Sequence, residues 1–235
     1  MPKQWELRSY TEEEEQVAST LAKQLGLYPV VGRLLVARGI RTMADAEAFL
    51  SPSLDALHDP LLMQDMPLAL ERVELALSRK EKILIYGDYD VDGTTAVALL
   101  YRYLRDHFVP KEQLAYYIPD RYDEGYGITQ QGIDQAHHMG AGLIIAVDTG
   151  IKAIEEIDYA QSLGIDVIIC DHHTPAETLP HAVAILNPKR VDNSYPFTDL
   201  SGCGVAFKLL QALASRRGLA FETLLPLLEL LVLSI

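Results

Sequence analysis

From residue 82 onward the chain alternates short apolar runs with longer amphipathic stretches. The runs are Ile83 to Tyr86, Ala115 to Ile118, Leu143 to Val147, Val167 to Cys170 and Val183 to Leu186. Each ends in a polar loop, and helical periodicity follows from Thr94 to about His107, from Thr129, and again up to Leu163. Strands that are apolar throughout and alternate with crossover helices predict an α/β fold. The expected architecture is a mostly parallel, open doubly wound sheet with helices on both faces.

The preceding stretch reads differently. Thr11 with Glu14 forms a capping box, and Val17, Leu21 and Leu25 make an apolar stripe that stops at Gly26. A second short helix is predicted over 29–37, closed by Gly39. A third opens at Thr42 with Asp45 and ends before Ser51-Pro52. A fourth is predicted from Pro67 to Lys80, with Leu70, Val73 and Leu77 on one face. Residues 1–65 are therefore read as an N-terminal helical appendage and residues 66–235 as the main α/β domain.

Composition narrows the class. Of 235 residues, 49% are hydrophobic and 23% charged, the balance of a globular chain and not of a disordered one. The greasiest run, Leu224 to Ile235, is short and carries Glu229, so no membrane span is expected. The first residues lack the apolar core of an export signal, and Cys170 and Cys203 are too few for a disulfide framework. A cytoplasmic location follows as an expectation. The net charge of −13 argues against nucleic acid unless some carboxylates hold cations. Two divalent ions would return about four charges where a phosphate must sit.

The polar residues just past the strand ends carry the candidate chemistry, because open α/β sheets bind ligands beyond the carboxyl ends of their strands. In Gly87-Asp-Tyr-Asp-Val-Asp-Gly93, three carboxylates at alternate positions repel one another unless a cation compensates. Asp148-Thr-Gly150 follows the strand ending at Val147, and Asp171-His-His173 adds imidazole nitrogens beside a carboxylate. An oxygen-rich set with one or two imidazoles and no thiolate favours Mn²⁺ or Mg²⁺ over structural zinc. Strand alternation turns Cys170 into the core, away from such a site. The remaining histidines, among them His137 and His138, lie beside no acidic cluster and are read as surface residues. Nucleophile-elbow, Walker and dinucleotide-binding motifs do not occur.

Asp88-Tyr-Asp-Val-Asp-Gly93, Asp148-Thr-Gly150 and Asp171-His-His173, in that order, resemble the motifs of the DHH phosphoesterase superfamily. Arg121-Tyr-Asp-Glu-Gly-Tyr-Gly127, Asn187-Pro188 and Ser201-Gly-Cys-Gly-Val-Ala-Phe207 resemble its RecJ branch of single-stranded-DNA exonucleases. The resemblance implies 5′-to-3′ hydrolysis of single-stranded DNA in recombination and repair, releasing 5′ mononucleotides, with two divalent cations, Mn²⁺ or Mg²⁺. It implies Asp90, Asp92, Asp148 and His172 as metal ligands, and Asp88, Asp171 and His173 as catalytic residues in or beside the ligand shell. Arg121, Gly202 and Gly204 would lie near the substrate strand. A loop ion pair of Arg121 with Asp123 or Glu124 is the structural alternative. Partner candidates are single-stranded DNA and a single-strand-binding protein or helicase, with no membrane. Members of the branch are longer, so the chain is expected to be an N-terminal fragment whose own activity is in question. Two rival readings are a phosphodiesterase for short oligonucleotides, cyclic dinucleotides or pyrophosphate, and a non-catalytic scaffold with a decayed site.

Overall fold

The structure, a computed structural model, describes residue 4 and residues 6–235. The first residues, read above as free of an export signal, fall partly outside that range. Two compact units divide between Leu57 and His58. The sequence pattern places this division near residue 65. Residues 58–65 go with the second unit because Met63 enters its core, Gln64 N–H donates to Asn193 Oδ1, and Ser194 Oγ donates to the Leu62 carbonyl.

The first unit holds α1 (Glu12–Leu25), α2 (Pro29–Ala37) and α3 (Met43–Leu50). The Thr11–Glu14 capping box forms as expected, and Ala18, Leu21, Leu35, Val36 and Ala46 make a small core.

The second unit begins with α4 (Met66–Arg79) and continues β1 (Lys82–Gly87), α5 (Val91–His107), β2 (Leu114–Tyr117), α6 (Gln130–His138) and β3 (Ala141–Val147). Then come α7 (Ile154–Ser162), β4 (Asp166–Cys170), β5 (Ala184–Leu186), α8 (Gly202–Arg216) and α9 (Leu228–Leu233). The five strands are all parallel and lie in the order β2-β1-β3-β4-β5. Alternate residues of each strand face opposite layers. Ile83 and Ile85 pack with Leu99 of α5, Val205 of α8 and Val73 of α4, while Leu84 and Tyr86 pack with Ile133 of α6 and Ile157 of α7. Both faces are covered, as the uninterrupted apolar strands required. Cys170 sits in the first of these layers, as its place in the strand foretold.

In this strand order the chain leaves β1 toward one edge and β3 toward the other, which opens a crevice between their carboxyl ends. Among the described residues no helix is long and apolar enough to cross a membrane.

Candidate metal centre

The crevice gathers the acidic loops. Asp88 follows β1, and Asp90 caps α5 by accepting the Gly93 N–H at 2.9 Å. The sequence pattern starts this helix at Thr94. The structure starts it three residues earlier, so Asp92 belongs to its first turn. Glycine is required at position 93, because a Cβ there would lie 2.5 Å from the Asp88 carbonyl oxygen. That close approach sets the first turn of α5 directly on the end of β1.

Asp148 leaves β3 in the left-handed region, φ 59°, an uncommon conformation for a residue with a Cβ. Its N–H donates to the Cys170 carbonyl, which fixes the turn against the end of β4. Beyond β4, Asp171 accepts hydrogen bonds from the N–H groups of Ile151, His172 and His173 and from His173 Nδ1 at 2.7 Å.

Ligand atoms of Asp88, Asp90 and Asp148 lie within 4.8 Å of one another, and so do those of Asp148, His172 and His173. Asp148 is common to both groups. Asp92 Oδ2 stands 3.6 Å from His172 Nε2. The structure thus brings all seven acidic and imidazole candidates to one rim.

Their environments differ in a telling way. Asp88 and Asp148 are 2% and 1% exposed, and Oδ1 of each is left without a hydrogen bond. His172 Nε2 comes within 3.2 Å of Asp148 Oδ1 but out of line for a hydrogen bond. The other ring nitrogen, Nδ1, is 3.0 Å from the Leu200 carbonyl, which can only accept, so Nδ1 carries the proton. In a neutral His172, Nε2 therefore presents a lone pair to carboxylates that also present lone pairs. That juxtaposition calls for a cation, and an imidazole anchored through its far N–H to a backbone carbonyl is the usual posture of a metal ligand. The donor set fits a divalent ion that prefers oxygen with some imidazole.

Without a cation the same geometry moves protons. Burial, then the charges of Asp92 and Asp90, push Asp148 up to about 6. Burial, with a contribution from Asp90, raises Asp88. His172 is raised by its contact with Asp148, and His173 by its hydrogen bond to Asp171. Burial opposes ionisation of Asp171 too, yet the His173 contact and the Ile151 and His173 N–H groups hold it below its ordinary range.

The weaker candidates fare differently. The Gly202 and Cys203 N–H groups each donate to Asp92 at 2.7 Å, and the Gly204 N–H donates to Ser201 Oγ, the N-cap of α8. These amides hold Asp92 and cap a helix, so their N–H groups are already engaged. A Cβ on Gly202 would lie 2.5 Å from that of Asp148. The glycine thus permits α8 to butt against the cluster. Arg121 forms no ion pair among the described residues; its guanidinium lies 5.2 Å from the centre of the Tyr89 ring, across the crevice mouth. Glu124, the imagined partner, instead pins its loop by accepting from Tyr117 OH, Thr129 Oγ1 and the Asp120 N–H.

Two contributors have no role in the sequence reading. Tyr126 places its hydroxyl 3.2 Å from His173 Nε2. Asn187 is buried between two rim loops, donating from Nδ2 to the His173 carbonyl and accepting the Lys189 N–H. Both stand inside strings already singled out, but nothing local in those strings tells which side chain turns inward.

Comparison with known proteins bears on the same region. The family model of the DHH family, N-terminal domain, matches residues 82–235. The chain is 43% identical over 209 residues to the single-stranded-DNA-specific exonuclease RecJ of Bacillus subtilis strain 168, which covers 89% of this chain and 26% of that protein. A crystal structure of exonuclease RecJ bound to manganese superposes with a TM-score of 0.61 at 33% identity, over 67% of this chain and 39% of that one. RecJ from Thermus thermophilus in complex with Mn²⁺ gives 0.67 at 28% identity, over 87% and 28%. The chain spans about a quarter of the length of the Bacillus relative.

Proposed function

The chain belongs to the DHH family, and we propose that its crevice hydrolyses phosphodiesters of single-stranded DNA from the 5′ end, in the cytoplasm, with two divalent cations, Mn²⁺ or Mg²⁺. The observation that carries this reading is the pair of buried carboxylate oxygens, Asp88 Oδ1 and Asp148 Oδ1, that have no hydrogen bond, with His172 Nε2 3.2 Å from the second of them. Asp88, Asp90, Asp92, Asp148 and His172 would hold the cations. Bound there, the cations supply Lewis-acid polarisation of a phosphoryl group and make water acidic enough to act as a nucleophile near neutral pH.

The chain's own groups do the rest. Amides at the start of α8 fix both oxygens of Asp92, and Leu200 fixes the ring of His172. Asp171 holds the Nδ1 proton of His173, so that Nε2 is the atom able to hold a second proton toward a phosphoryl or leaving-group oxygen. Arg121, seated on Tyr89 at the mouth, offers its charge to the backbone of a strand entering a protein that is otherwise strongly acidic.

The test uses Asp148→Asn and His172→Ala, followed by Mn²⁺ titration calorimetry and by digestion of a 5′-labelled single strand. Each substitution should lower the metal-dependent rate by ~10³-fold, the several kcal/mol a Lewis acid contributes, with the circular dichroism spectrum retained. Undiminished turnover in both variants would overturn the assignment. Faster cleavage of a dinucleotide than of the long strand would move the substrate to the short-oligonucleotide class.

A further inference from the structure

Beside the carboxylate cluster lies a cavity of about 290 Å³, close to the small end of the ~300–1,000 Å³ range of small-molecule sites. It shares Asp171 and His173 with the cluster, so a phosphate held there puts its esterified sugar and base within reach of the cavity. The walls are of two kinds. Ile128 and Ile151 are buried apolar surfaces, and Tyr126 stands at the side, its ring centroid 6.0 Å from that of His173. Thr149 is 2% exposed and lines the cavity, and no hydrogen bond among the described residues reaches its hydroxyl.

Charge decides what part of a nucleotide this space suits. Glu156, in the first turn of α7, and Asp171 both line it, against Lys152 and the His173 ring that is already paired with Asp171. A second phosphate would meet repulsion from both acids. A neutral, flat group with donors and acceptors at its edge would meet apolar walls, a free hydroxyl and a carboxylate able to accept from an amino group.

We propose that this cavity is a nucleoside subsite, seating the base of the nucleotide whose phosphate lies at the carboxylate cluster. The proposal rests on the phosphodiesterase reading above, and adds that the domain recognises a base as well as a phosphate.

Two probes separate these claims. The Mn²⁺-loaded chain is titrated with deoxyadenosine 5′-phosphate and with 2-deoxyribose 5-phosphate, which differ only in the base. The base-bearing probe should bind at least ~10-fold more tightly, a difference of about 1.4 kcal/mol. Ala153→Trp, which places an indole at the cavity rim, should abolish that preference while leaving Mn²⁺ affinity in place. Thr149→Val, nearly the same size, should reduce it several-fold, and melting curves of both variants check the fold. Equal affinity for the two probes, or a preference that survives Ala153→Trp, overturns the nucleoside subsite and leaves the metal reading intact. Failure of the unmodified chain to take up Mn²⁺ sinks the metal reading and this one with it.

Discussion

The two ends of the same sheet treat charge in opposite ways. At the amino ends of the strands, Arg72 of α4 is buried and reaches Asp166 at 2.5 Å, Glu81 at 2.6 Å and the Gly142 carbonyl at 2.9 Å. Two carboxylates there share one guanidinium, which leaves its Nη1 without a hydrogen bond but its charge paired. At the carboxyl ends, Asp88, Asp90, Asp92 and Asp148 converge with no Lys or Arg in hydrogen-bond contact among the described residues. Buried charge is tolerable only when paired, so the first end is structural and the second is built for a cation from outside. Acidity alone would not separate them; the presence or absence of a resident basic side chain does.

The sharpest way to break this contrast is to neutralise each end in turn. Arg72→Leu should destabilise the fold by about 3 kcal/mol, the lower part of the range for removing one partner of a buried ion pair, because Asp166 keeps partial solvent access. Urea denaturation measures it, and a change under about 1 kcal/mol would mean that the amino end is not held by this pairing.

At the other end the sign reverses, and pH shows it. Metal-free, Asp148 keeps its proton up to about pH 6 when folded and loses it near its ordinary 3.8 when unfolded. The folded state binds more protons through that window, so stability falls as pH rises across it, by about 2–3 kcal/mol. His172, also raised, continues the decline above its ordinary 6.5. Asp171, held low, acts oppositely: its contribution is present above about pH 4 and is lost only as pH falls further. Urea midpoints from about pH 4 to 8 should therefore drop in the metal-free chain. The part between about pH 4 and 6 should shrink in Asp148→Asn, and Mn²⁺ should reverse the decline by taking the proton's place. A flat metal-free profile would contradict the buried, unpaired state of Asp148.

A smaller effect sharpens the picture of how Asp92 is held. Ser201→Ala removes the N-cap of α8 and should cost about 1 kcal/mol, read by thermal melting. It should also weaken Mn²⁺ binding modestly, since the Gly202 and Cys203 amides that orient Asp92 form the start of that helix. Unaltered Mn²⁺ affinity would make the cap purely structural.

Much of this is legible in the chain itself. Apolar runs locate every strand to within a few residues, and the rule that ligands gather at carboxyl ends puts Asp88, Asp90, Asp92, Asp148, Asp171, His172 and His173 on one rim. What escapes is whatever depends on distant backbone. The start of α5 is misplaced because an Asp-Val-Asp-Gly string reads locally as a turn, whereas packing on β1 makes it a first helical turn. That Gly202 holds Asp92 escapes because the two are 110 residues apart in sequence. The left-handed backbone at Asp148 has no local signature either, since glycine two residues later would be the natural place for it.

The strand order also governs when the acidic rim comes into being. β1 pairs with β2 on one side and with the later β3 on the other, so Asp88 and Asp148 meet only after the long stretch between β1 and β3 has closed. Mutual repulsion between these carboxylates thus requires β3 to have docked on β1. A cation that relieves it should therefore slow unfolding more than it speeds folding, a kinetic lock on a finished sheet and not a nucleus for building one, which stopped-flow unfolding with and without Mn²⁺ would read.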